Sequence, residues 1–392
     1  MTIKFLHTAD WHLGRVFFQM SLLEEQRHAL KQIITIAVEQ QVQAVLIAGD
    51  VFDRSIAPVE AVQLLDEIIT SLICEHGIAV VMVAGNHDSE QRLAYGGRIT
   101  ELNGLHVRGP LGRFTPIPFE HDGVRVLLHP LPYLEPAMLR NLPGGDSINT
   151  HEEAMRYALS QLGPLQSGAQ RHVLLGHAFV AGSTECESER SISVGGTGAV
   201  PSSVFDGFDV VALGHLHRPQ TAGAEHIRYS GSLLKYSFSE EAHTKSVNII
   251  TLAAKGAPQF EQIPLQVLHD VRSISGCFVE LLQAQVDVDA SMDYIQAFLT
   301  DETPVLDAMQ RLRQVYPNLV TIRMAVAQVG ENAGALVAND LNNPEQRFLE
   351  FFHWVKGQGP NEAELQAFQA VLQAELHAEQ EIQIQAERGG AL

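Results

Sequence analysis

The sequence predicts an α/β fold in which two β-sheets form a sandwich flanked by helices. Apolar runs rich in β-branched residues alternate with helical patterns over residues 3–213, which indicates crossover connections between parallel strands. Short strands separated by turns, in residues 105–132 and 227–263, predict antiparallel hairpins that complete a mixed two-sheet core. After Pro264 the pattern changes, and we expect a small α/β cap domain followed by a helical C-terminal tail.

The individual elements follow from apolar periodicity and from turn signals. The predicted strands cover residues 3–7, 44–48, 78–84, 172–175 and 210–213. The predicted helices cover residues 22–40, 58–74 and 151–162. The turns that close the two hairpins are His121-Asp122-Gly123 and Lys255-Gly256. In the cap domain, residues 293–299 and 319–324 are strand-like, and Thr303-Pro304 indicates the start of a helix that runs to about Tyr316.

The domain organisation follows from length and from local composition. At 392 residues the chain exceeds the usual size of a single core. We predict a main α/β domain over residues 1–265 and a small α/β capping domain over residues 266–327. Residues 328–343 are rich in Asn, Gly and Ala and are interpreted as a linker. Residues 344–392 then form a helical segment with two amphipathic helices separated by Gly357-Gln358-Gly359-Pro360.

The formal net charge of −20 argues against wholesale electrostatic binding to nucleic acid or to anionic lipid. A local site for a phosphate polyanion is compatible with this charge if bound cations or a basic partner neutralise the phosphate.

The three cysteines, Cys74, Cys186 and Cys277, lie far apart and indicate neither a disulfide framework nor a zinc–thiolate site. We therefore expect a reducing, cytoplasmic location. We also find no signal-peptide pattern at the N-terminus and no apolar stretch near the roughly 20 residues that span a bilayer, so we expect no membrane association.

Each of the five predicted parallel strands leads into polar side chains that carry lone pairs. In chain order these side chains are Asp10 and His12, Asp50, Asn86 with His87, His177, and finally His215 and His217. Because ligands collect beyond the carboxyl ends of parallel strands, residues spread over 200 positions can converge on one point. The sequence therefore predicts a metal site at this end of the fold.

The chemistry of this set narrows the choice of metal. Without His87, the set has two carboxylates, one amide oxygen and four imidazoles but no thiolate, which suits Mn, Fe or Zn better than Ca or a structural Zn site. Seven ligands are too many for one catalytic ion. Two ions about 3.5 to 4 Å apart, bridged by one carboxylate, would use them all and would favour in-line displacement at phosphorus.

Each motif alone also has an ordinary structural explanation. Asp10-x-His12 is compatible with a solvated turn, Gly49-Asp50 with a helix N-cap, and Asn86-His87-Asp88 with turn chemistry after Gly85. Their joint occurrence in this order, each at a strand end, is hard to produce for packing reasons alone. It therefore favours the metal site.

The motifs D-x-H, G-D-x-x-D, G-N-H-D, G-H and G-H-x-H occur in this order, and the chain resembles the calcineurin-like metallophosphoesterase superfamily. Within it, four longer stretches are similar to the nuclease subunits of bacterial SbcCD-type double-strand-break repair complexes. These stretches are ADWHLG, AGDVFD, SERSISVGGTGAVPSSVFDGFDVVALGHLHRPQ and YSGSLLKYSFSE. The similarity covers the first 265 residues well and extends more loosely through the capping domain.

The resemblance implies roles for individual residues. One ion would be held by Asp10, His12, Asp50 and His217, and the other by Asp50, Asn86, His177 and His215, so that Asp50 bridges the two. His87 would contact the scissile phosphate and assist the leaving oxygen without binding metal. Asp53 would orient His87.

The resemblance also implies an activity and partners. We expect a DNA exonuclease and endonuclease that uses two divalent metal ions, with Mn(2+) as the favoured ion, and works with an SbcC-type coiled-coil ATPase in a heterotetramer with two copies of each subunit. Residues 344–392 would bind the ATPase. Two alternatives are a phosphatase or small-molecule phosphodiesterase of the same superfamily, and an interaction scaffold without catalytic activity. The complete ligand set together with His87 argues against the scaffold.

Overall fold

The computed structural model describes residues 1–109, 114–163, 165, 170–189 and 198–324, and in the C-terminal segment residues 348, 349, 352, 359–361, 364, 365 and 368. The chain divides into two compact units, Met1–Ala325 and Val326–Leu392, which are described separately.

The strands of the described residues all belong to the first unit. They are β1 (Thr2–Thr8), β2 (Val16–Phe17), β3 (Met20–Ser21), β4 (Ala44–Ala48), β5 (Ala79–Val83), β6 (Leu105–Arg108), β7 (Ile117–His121), β8 (Val124–Leu131), β9 (Gln170–His177), β10 (Phe179–Val180), β11 (Ala199–Val200), β12 (Val210–Gly214), β13 (Gln220–Ala222), β14 (Ala224–Tyr229), β15 (Ser246–Ala253), β16 (Gln259–Pro264), β17 (Val271–Gly276), β18 (Tyr294–Leu299) and β19 (Leu319–Met324).

The helices of this unit connect the parallel strands and cover the outer faces of the sheets. The α-helices are α1 (Leu23–Glu39), α2 (Val59–Thr70), α3 (Glu90–Leu93), α4 (Gly97–Thr100), α5 (Pro136–Leu139), α6 (His151–Gln161), α7 (Phe278–Gln283), α8 (Val288–Ser291) and α9 (Ala308–Leu312). A π-helical turn (Ser71–Glu75) extends α2, and short 3₁₀ turns cover Glu101–Asn103, Ser202–Phe205 and Phe238–Glu240.

Two six-stranded sheets form the main body. The first has the order β16-β15-β1-β4-β5-β6, with β1, β4, β5 and β6 parallel and β15 and β16 antiparallel at one side. The second has the order β13-β14-β12-β9-β8-β7, with β8, β9, β12 and β14 parallel and antiparallel edge strands. The predicted mixed sandwich and both predicted hairpins, β7–β8 and β15–β16, are confirmed.

Alternate side chains of the central strands face two different cores, as a strand buried on both faces requires. In β1, Leu6 packs with residues of α1 and α2, whereas Phe5 faces the space between the two sheets. The second sheet packs its outer face against α5 and α6. The layers are therefore helix, sheet, sheet and helix.

The two sheets approach one another closely at the carboxyl ends of their parallel strands. A Cβ atom added to Gly214, at the end of β12, would lie only 1.9 Å from the carbonyl oxygen of Ala48 at the end of β4. The buried His7 ring also joins the sheets, since its Nε2 lies 3.1 Å from the carbonyl oxygen of Leu213. This contact brings the end of β12 beside the ends of β1 and β4.

The predicted capping domain, which lies within the first unit, contains more regular structure than the sequence indicated. Strands β17, β18 and β19 form a three-stranded parallel sheet, and β17 and α7 were not predicted. The expected helix start at Thr303-Pro304 is wrong, because α9 begins only after Asp307, whose backbone is left-handed (φ 53°). This sheet has its own apolar cluster, which includes Ile295 and Leu312.

Polar contacts join the small sheet to the main body within the first unit. The Nζ atom of Lys235 lies 2.8 Å from Oδ1 of Asp270, and Nδ1 of His269 lies 2.6 Å from Oε1 of Glu25. The boundaries at residues 265 and 327 remain predictions.

Most of the predicted linker and tail lies outside the described residues. Those described in the second unit include Phe348 and Phe368, which are helical and whose rings stack with centroids 4.1 Å apart. Asn361 and Glu364 exchange hydrogen bonds of 2.9 Å in the pattern of a capping box, which marks the start of the second helical stretch. Across the described part of the chain, no helix combines the length and the apolar character needed to cross a membrane.

Replacing Gly214 with Ala tests the close approach of the sheets. The added methyl group would overlap the carbonyl oxygen of Ala48, which is backbone and cannot rotate away. We expect Gly214→Ala to lower the free energy of unfolding by about 3 kcal/mol, measured by chemical denaturation. Gly97→Ala is the matched control, because its added atom has no neighbour closer than 4.0 Å. Equal stability of the two variants would contradict this account of the fold.

Candidate metal centre

The loops that follow β1 and β4 hold each other in unusual backbone conformations. The amide of Asp10 donates to the carbonyl oxygen of Gly49 (3.0 Å), and the amide of His12 donates to that of Asp50 (2.9 Å). Asp10, His12 and Asp50 all have left-handed backbones, with φ of 51°, 45° and 48°. Such strain costs of the order of 1 kcal/mol or more per residue and concentrates at functional sites.

The first group of predicted ligands contains Asp10, His12 and His217, each of which offers a ligand atom within 4.8 Å of the others. The Nε2 atoms of His12 and His217 lie 3.2 Å apart. His12 Nε2 is also 3.7 Å from Oδ2 of Asp50.

The second group surrounds Asn86. Its Oδ1 atom lies 2.9 Å from Nε2 of His177 and 3.1 Å from Nδ1 of His215. Oδ2 of Asp50 lies 3.6 Å from His177 Nε2 and so occupies the position between the two groups. The structure therefore brings all seven predicted ligands together, with Asp50 in the middle.

Hydrogen bonds on the far side of two imidazoles indicate which nitrogen faces the centre. The Nδ1 atom of His177 lies 2.8 Å from the carbonyl oxygen of Ala48, so this nitrogen carries the proton and donates it. The Nδ1 atom of His217 lies 2.7 Å from Oγ of Ser188. With their Nδ1 protons engaged, both rings direct an Nε2 lone pair at the centre, as metal-binding histidines do.

The electrostatics of the site also suit cations. Burial lowers the pKa of His177 to about 4 and that of His12 well below its usual value, so both rings are neutral at pH 7 and available as ligands. Burial, and then the nearby carboxylate of Asp50, raise the pKa of Asp10 well above its usual value. Two buried carboxylates beside neutral imidazoles need positive charge for compensation, so these residues fit divalent metal ions.

His87 lies at the edge of this group, and its main chain and side chain are both fixed. Its amide donates to Oδ1 of Asp50 (2.9 Å), and its Nδ1 lies 2.8 Å from the carbonyl oxygen of Asp53. The other ring nitrogen, Nε2, points inward and lies 3.9 Å from Oδ2 of Asp50.

Asp53 reaches His87 through its main chain. Its carboxylate contacts Nη1 of Arg15 (3.0 Å) and lies 3.6 Å from Nδ1 of His12. The main-chain carbonyl of Asp53 therefore contacts His87, whereas the side chain of Asp53 faces the first ligand group.

Asp88 is a supporting residue to which the sequence analysis gave no role. Its carboxylate accepts hydrogen bonds from the amides of Gly85 (2.9 Å), Val51 (3.1 Å) and Phe52 (2.9 Å), and so it joins the loops after β4 and β5. Burial, and then Asp50, raise its pKa to about 6. The position of Asp88 in the Gly85-Asn86-His87-Asp88 motif is the sequence signal from which this role could have been predicted.

A buried ion pair behind His217 was also missed. Oε2 of Glu240 lies 2.5 Å from Nζ of Lys245, and Oε1 lies 2.5 Å from Oγ of Ser188 and 3.4 Å from Nδ1 of His217. Lys245 Nζ also donates to the carbonyl oxygen of His217 (2.8 Å). Burial alone would raise the pKa of Glu240, but Lys245 and His217 outweigh it and lower the pKa, so this carboxylate is ionised.

Comparison with protein families identifies the class to which this fold and site belong. Residues 3–219 match the family of calcineurin-like phosphoesterases, so the chain belongs to that family. Residues 267–354 match a second family, named for the C-terminal part of SbcD and described as the type 5 capsule protein repressor C-terminal domain.

Among individual proteins, the chain is similar to the D subunit of nuclease SbcCD from Staphylococcus epidermidis. The two are 33% identical over 330 residues, which cover 84% of this chain and 87% of the relative. The predicted resemblance to SbcD-type proteins is confirmed.

Among solved structures, the chain is similar to the 5′-nucleotidase precursor of Thermus thermophilus, with 15% sequence identity and a TM-score of 0.33. The match covers 68% of this chain and 55% of the nucleotidase, so the chain spans only about half of that protein's length.

The substitution Glu240→Gln tests whether the buried ion pair supports a metal ligand. It keeps the shape of the side chain but removes the charge that faces Lys245 and the Nδ1 proton of His217. Because loss of such a supporting group typically weakens metal binding 10- to 100-fold, we expect Mn²⁺, used as the probe ion, to bind more weakly by about that factor. Calorimetric titration of chelator-stripped protein with Mn²⁺ measures it.

Glu261→Gln is the matched control for this titration, because Glu261 is exposed. It should bind Mn²⁺ with the same affinity and stoichiometry as the unsubstituted protein. Unchanged Mn²⁺ affinity in Glu240→Gln would show that the ion pair serves only the fold.

Proposed function

We propose that this chain is the metal-dependent nuclease subunit of an SbcCD-type complex. It hydrolyses DNA phosphodiester bonds as an exonuclease and endonuclease in break repair and hairpin processing. The observation that carries the proposal is the convergence of seven ligand side chains from five strand ends, with His87 beside them. The relative named above is a nuclease subunit, which supports the same reaction class.

Two divalent ions occupy the centre in this proposal, and Mn²⁺ is the ion we favour because the ligands mix nitrogen with oxygen and include no sulfur. Asp10, His12, Asp50 and His217 hold one ion. Asp50, Asn86, His177 and His215 hold the other. Bound ions supply the positive charge that stabilises a phosphoryl group during in-line displacement.

His87 acts on the leaving oxygen. Its Nδ1 proton is held by the carbonyl oxygen of Asp53, so Nε2 is the nitrogen that faces the substrate. At 7% exposure His87 is less buried than the four ligand histidines, and we expect the phosphodiester to approach it from the solvent side. A proton placed on Nε2 can be given to the departing oxygen, and Asp53 fixes the ring for this transfer.

The partner in this proposal is an SbcC-type coiled-coil ATPase, with two copies of each subunit in a heterotetramer. The net charge of −20 supports a division of tasks in which the ATPase supplies affinity for DNA. The stacked rings of Phe348 and Phe368 support a helical tail with an apolar face for that partner. The three cysteines are free, which supports a cytoplasmic location.

A nuclease assay tests the central proposal. Blunt, hairpin and single-stranded DNA are incubated with Mn²⁺ or Mg²⁺, with and without the ATPase, beside a small phosphodiester such as bis(p-nitrophenyl) phosphate. We expect metal-dependent cleavage of DNA and of the small ester. Hydrolysis of the small ester without cleavage of any DNA would instead favour a small-molecule phosphodiesterase.

The substitution His87→Ala should lower the rate of DNA cleavage about 100- to 10,000-fold, the usual contribution of a positioned acid. Both ions should remain bound, since His87 is not a ligand, and Mn²⁺ titration checks this. His76→Ala is the matched control, because His76 is exposed and is not among the residues of the centre. A full rate in His87→Ala, or the loss of an ion, would contradict the role.

Deletion of residues 344–392 tests the tail. The truncated chain should no longer associate with the ATPase in a pull-down, while its metal-dependent hydrolysis of bis(p-nitrophenyl) phosphate should be unchanged. Circular dichroism of the truncated chain monitors folding. Undiminished capture of the ATPase would refute the assignment, and so would a truncated chain that fails to fold.

A further inference from the structure

A groove of about 530 Å³ lies beside the metal centre. Its walls include Arg15, Tyr236 and Ser188 on the side of the centre, and Phe18 and Phe238 farther away. The Tyr236 ring is 5.4 Å from the His12 ring and 5.7 Å from the His217 ring, measured between centroids. The groove therefore begins beside two of the ligands in the first group.

Phe18 occupies the tip of a two-residue hairpin loop that projects at this groove. Strands β2 and β3 pair Phe17 with Met20, and Phe18 and Gln19 between them are both left-handed, with φ of 45° and 71°. Asn, Asp and Gly are the usual residues in such a turn, and a bulky aromatic residue with positive φ is rare. Yet Phe18 leaves 51% of its surface exposed, so its burial in a core does not explain its presence there.

The neighbouring Phe17, rather than Phe18, packs the hairpin against the body of the protein. It is 5% exposed and packs against Phe238 and Tyr294, with ring centroids 5.6 and 5.8 Å away. Phe18 only touches the margin of this cluster, since its ring lies edge-on to Phe17 at 4.9 Å and 5.9 Å from Phe238. The exposed half of the Phe18 side chain, at the margin of a polar groove, is available for a planar ligand.

Several other lining groups match a nucleotide, although Glu187 also brings one carboxylate to the groove. Arg15 lies over the Tyr236 ring, 5.0 Å from its centroid, and is also anchored by the carboxylate of Asp53. Arg323 adds a second cation, and Ser188 is among several hydroxyl groups in the lining. An aromatic ring beside cations and hydroxyls is the arrangement by which proteins bind unpaired bases together with their phosphates.

We propose that this groove is a nucleotide subsite in which Phe18 stacks on an unpaired base next to the phosphodiester that is cut. The inference rests on the proposed nuclease function and specifies its substrate: a DNA strand whose base at this position is out of the duplex. A paired base inside a duplex has neighbours on both faces and cannot offer one to Phe18. The subsite therefore favours frayed ends, hairpin loops and single strands.

The first test compares DNA with a substrate that has no base. Phe18→Ala should weaken cleavage of single-stranded DNA, as kcat/KM with saturating Mn²⁺, by about 5- to 100-fold, the range for loss of one stacking contact. Its hydrolysis of bis(p-nitrophenyl) phosphate should fall much less, since no DNA strand holds the rings of this ester in the groove. Phe18→Trp should restore DNA cleavage.

Leu306→Ala is the matched control, because Leu306 is 82% exposed and does not line the groove. It should leave both activities unchanged.

The second test locates the base. An abasic residue is moved one position at a time along the single-stranded substrate. For the unsubstituted chain, one position near the scissile bond should show a loss similar to that caused by Phe18→Ala. For Phe18→Ala itself, the same abasic residue should cause no further loss, because the stacking partner is already missing.

The outcomes separate this inference from the proposed function. If the unsubstituted chain, with or without the ATPase, cleaves no DNA, the nuclease proposal itself fails. If it cleaves DNA and Phe18→Ala does so equally well, the nuclease stands and the subsite is refuted. An equal loss on DNA and on the small ester would also refute it, because that pattern indicates damage to the metal centre.

Discussion

The close approach of two parallel strand bundles at their carboxyl ends is the constraint on which the rest of the structure depends. Asp50 follows a strand of one sheet and His177 ends a strand of the other, yet their side-chain atoms lie 3.6 Å apart. Such proximity is possible only where the connecting backbone has no side chain, as at Gly214. It also forces the ligand-bearing loops into left-handed conformations, as at Asp10. The strain is therefore a consequence of placing oxygen and nitrogen donors from two sheets around one small volume.

Burying so many polar groups requires a second layer of partners, and this layer comes from parts of the chain far from the ligands. Gln26, in α1, donates to the carbonyl oxygens of His12 (2.8 Å) and Trp11 (3.1 Å). Asp88 ties together the loops after β4 and β5, and Glu240 with Lys245 fixes His217 from behind. Each ligand group is thus oriented before any ion binds, which lowers the conformational entropy that binding would otherwise cost. A fixed geometry is what a site needs if it must hold two cations close together.

The sequence was sufficient to predict the sandwich and the convergence of the seven side chains, because apolar strands that end in Asp, Asn or His are visible in one dimension and parallel strands share an edge. The sequence was insufficient where tertiary contacts determine which side chain contacts which group. The Glu240–Lys245 pair has no periodicity that distinguishes it from a solvated surface. The contact from Asp53 to His87 passes through a main-chain carbonyl, which no side-chain motif encodes. Strand β17 was missed because its sequence, VRSISG, alternates weakly and is mostly half-buried, and Asp307 interrupts a helix whose start signal at Thr303-Pro304 was otherwise sound.

The charge distribution explains how an acidic chain can act on a polyanion. Asp10 and Asp50 bring two negative charges to the centre while the buried imidazoles of His12 and His177 are neutral, so two divalent cations would leave the centre positive toward a phosphodiester. This attraction is short in range, because salt screens it within about 10 Å. It can hold a phosphate that has arrived but does little to collect DNA from solution. An acidic protein of this kind can gain affinity for DNA in two ways that do not require a basic surface. One is contacts that do not depend on net charge, such as stacking of a base on an aromatic ring. The other is a partner that binds DNA.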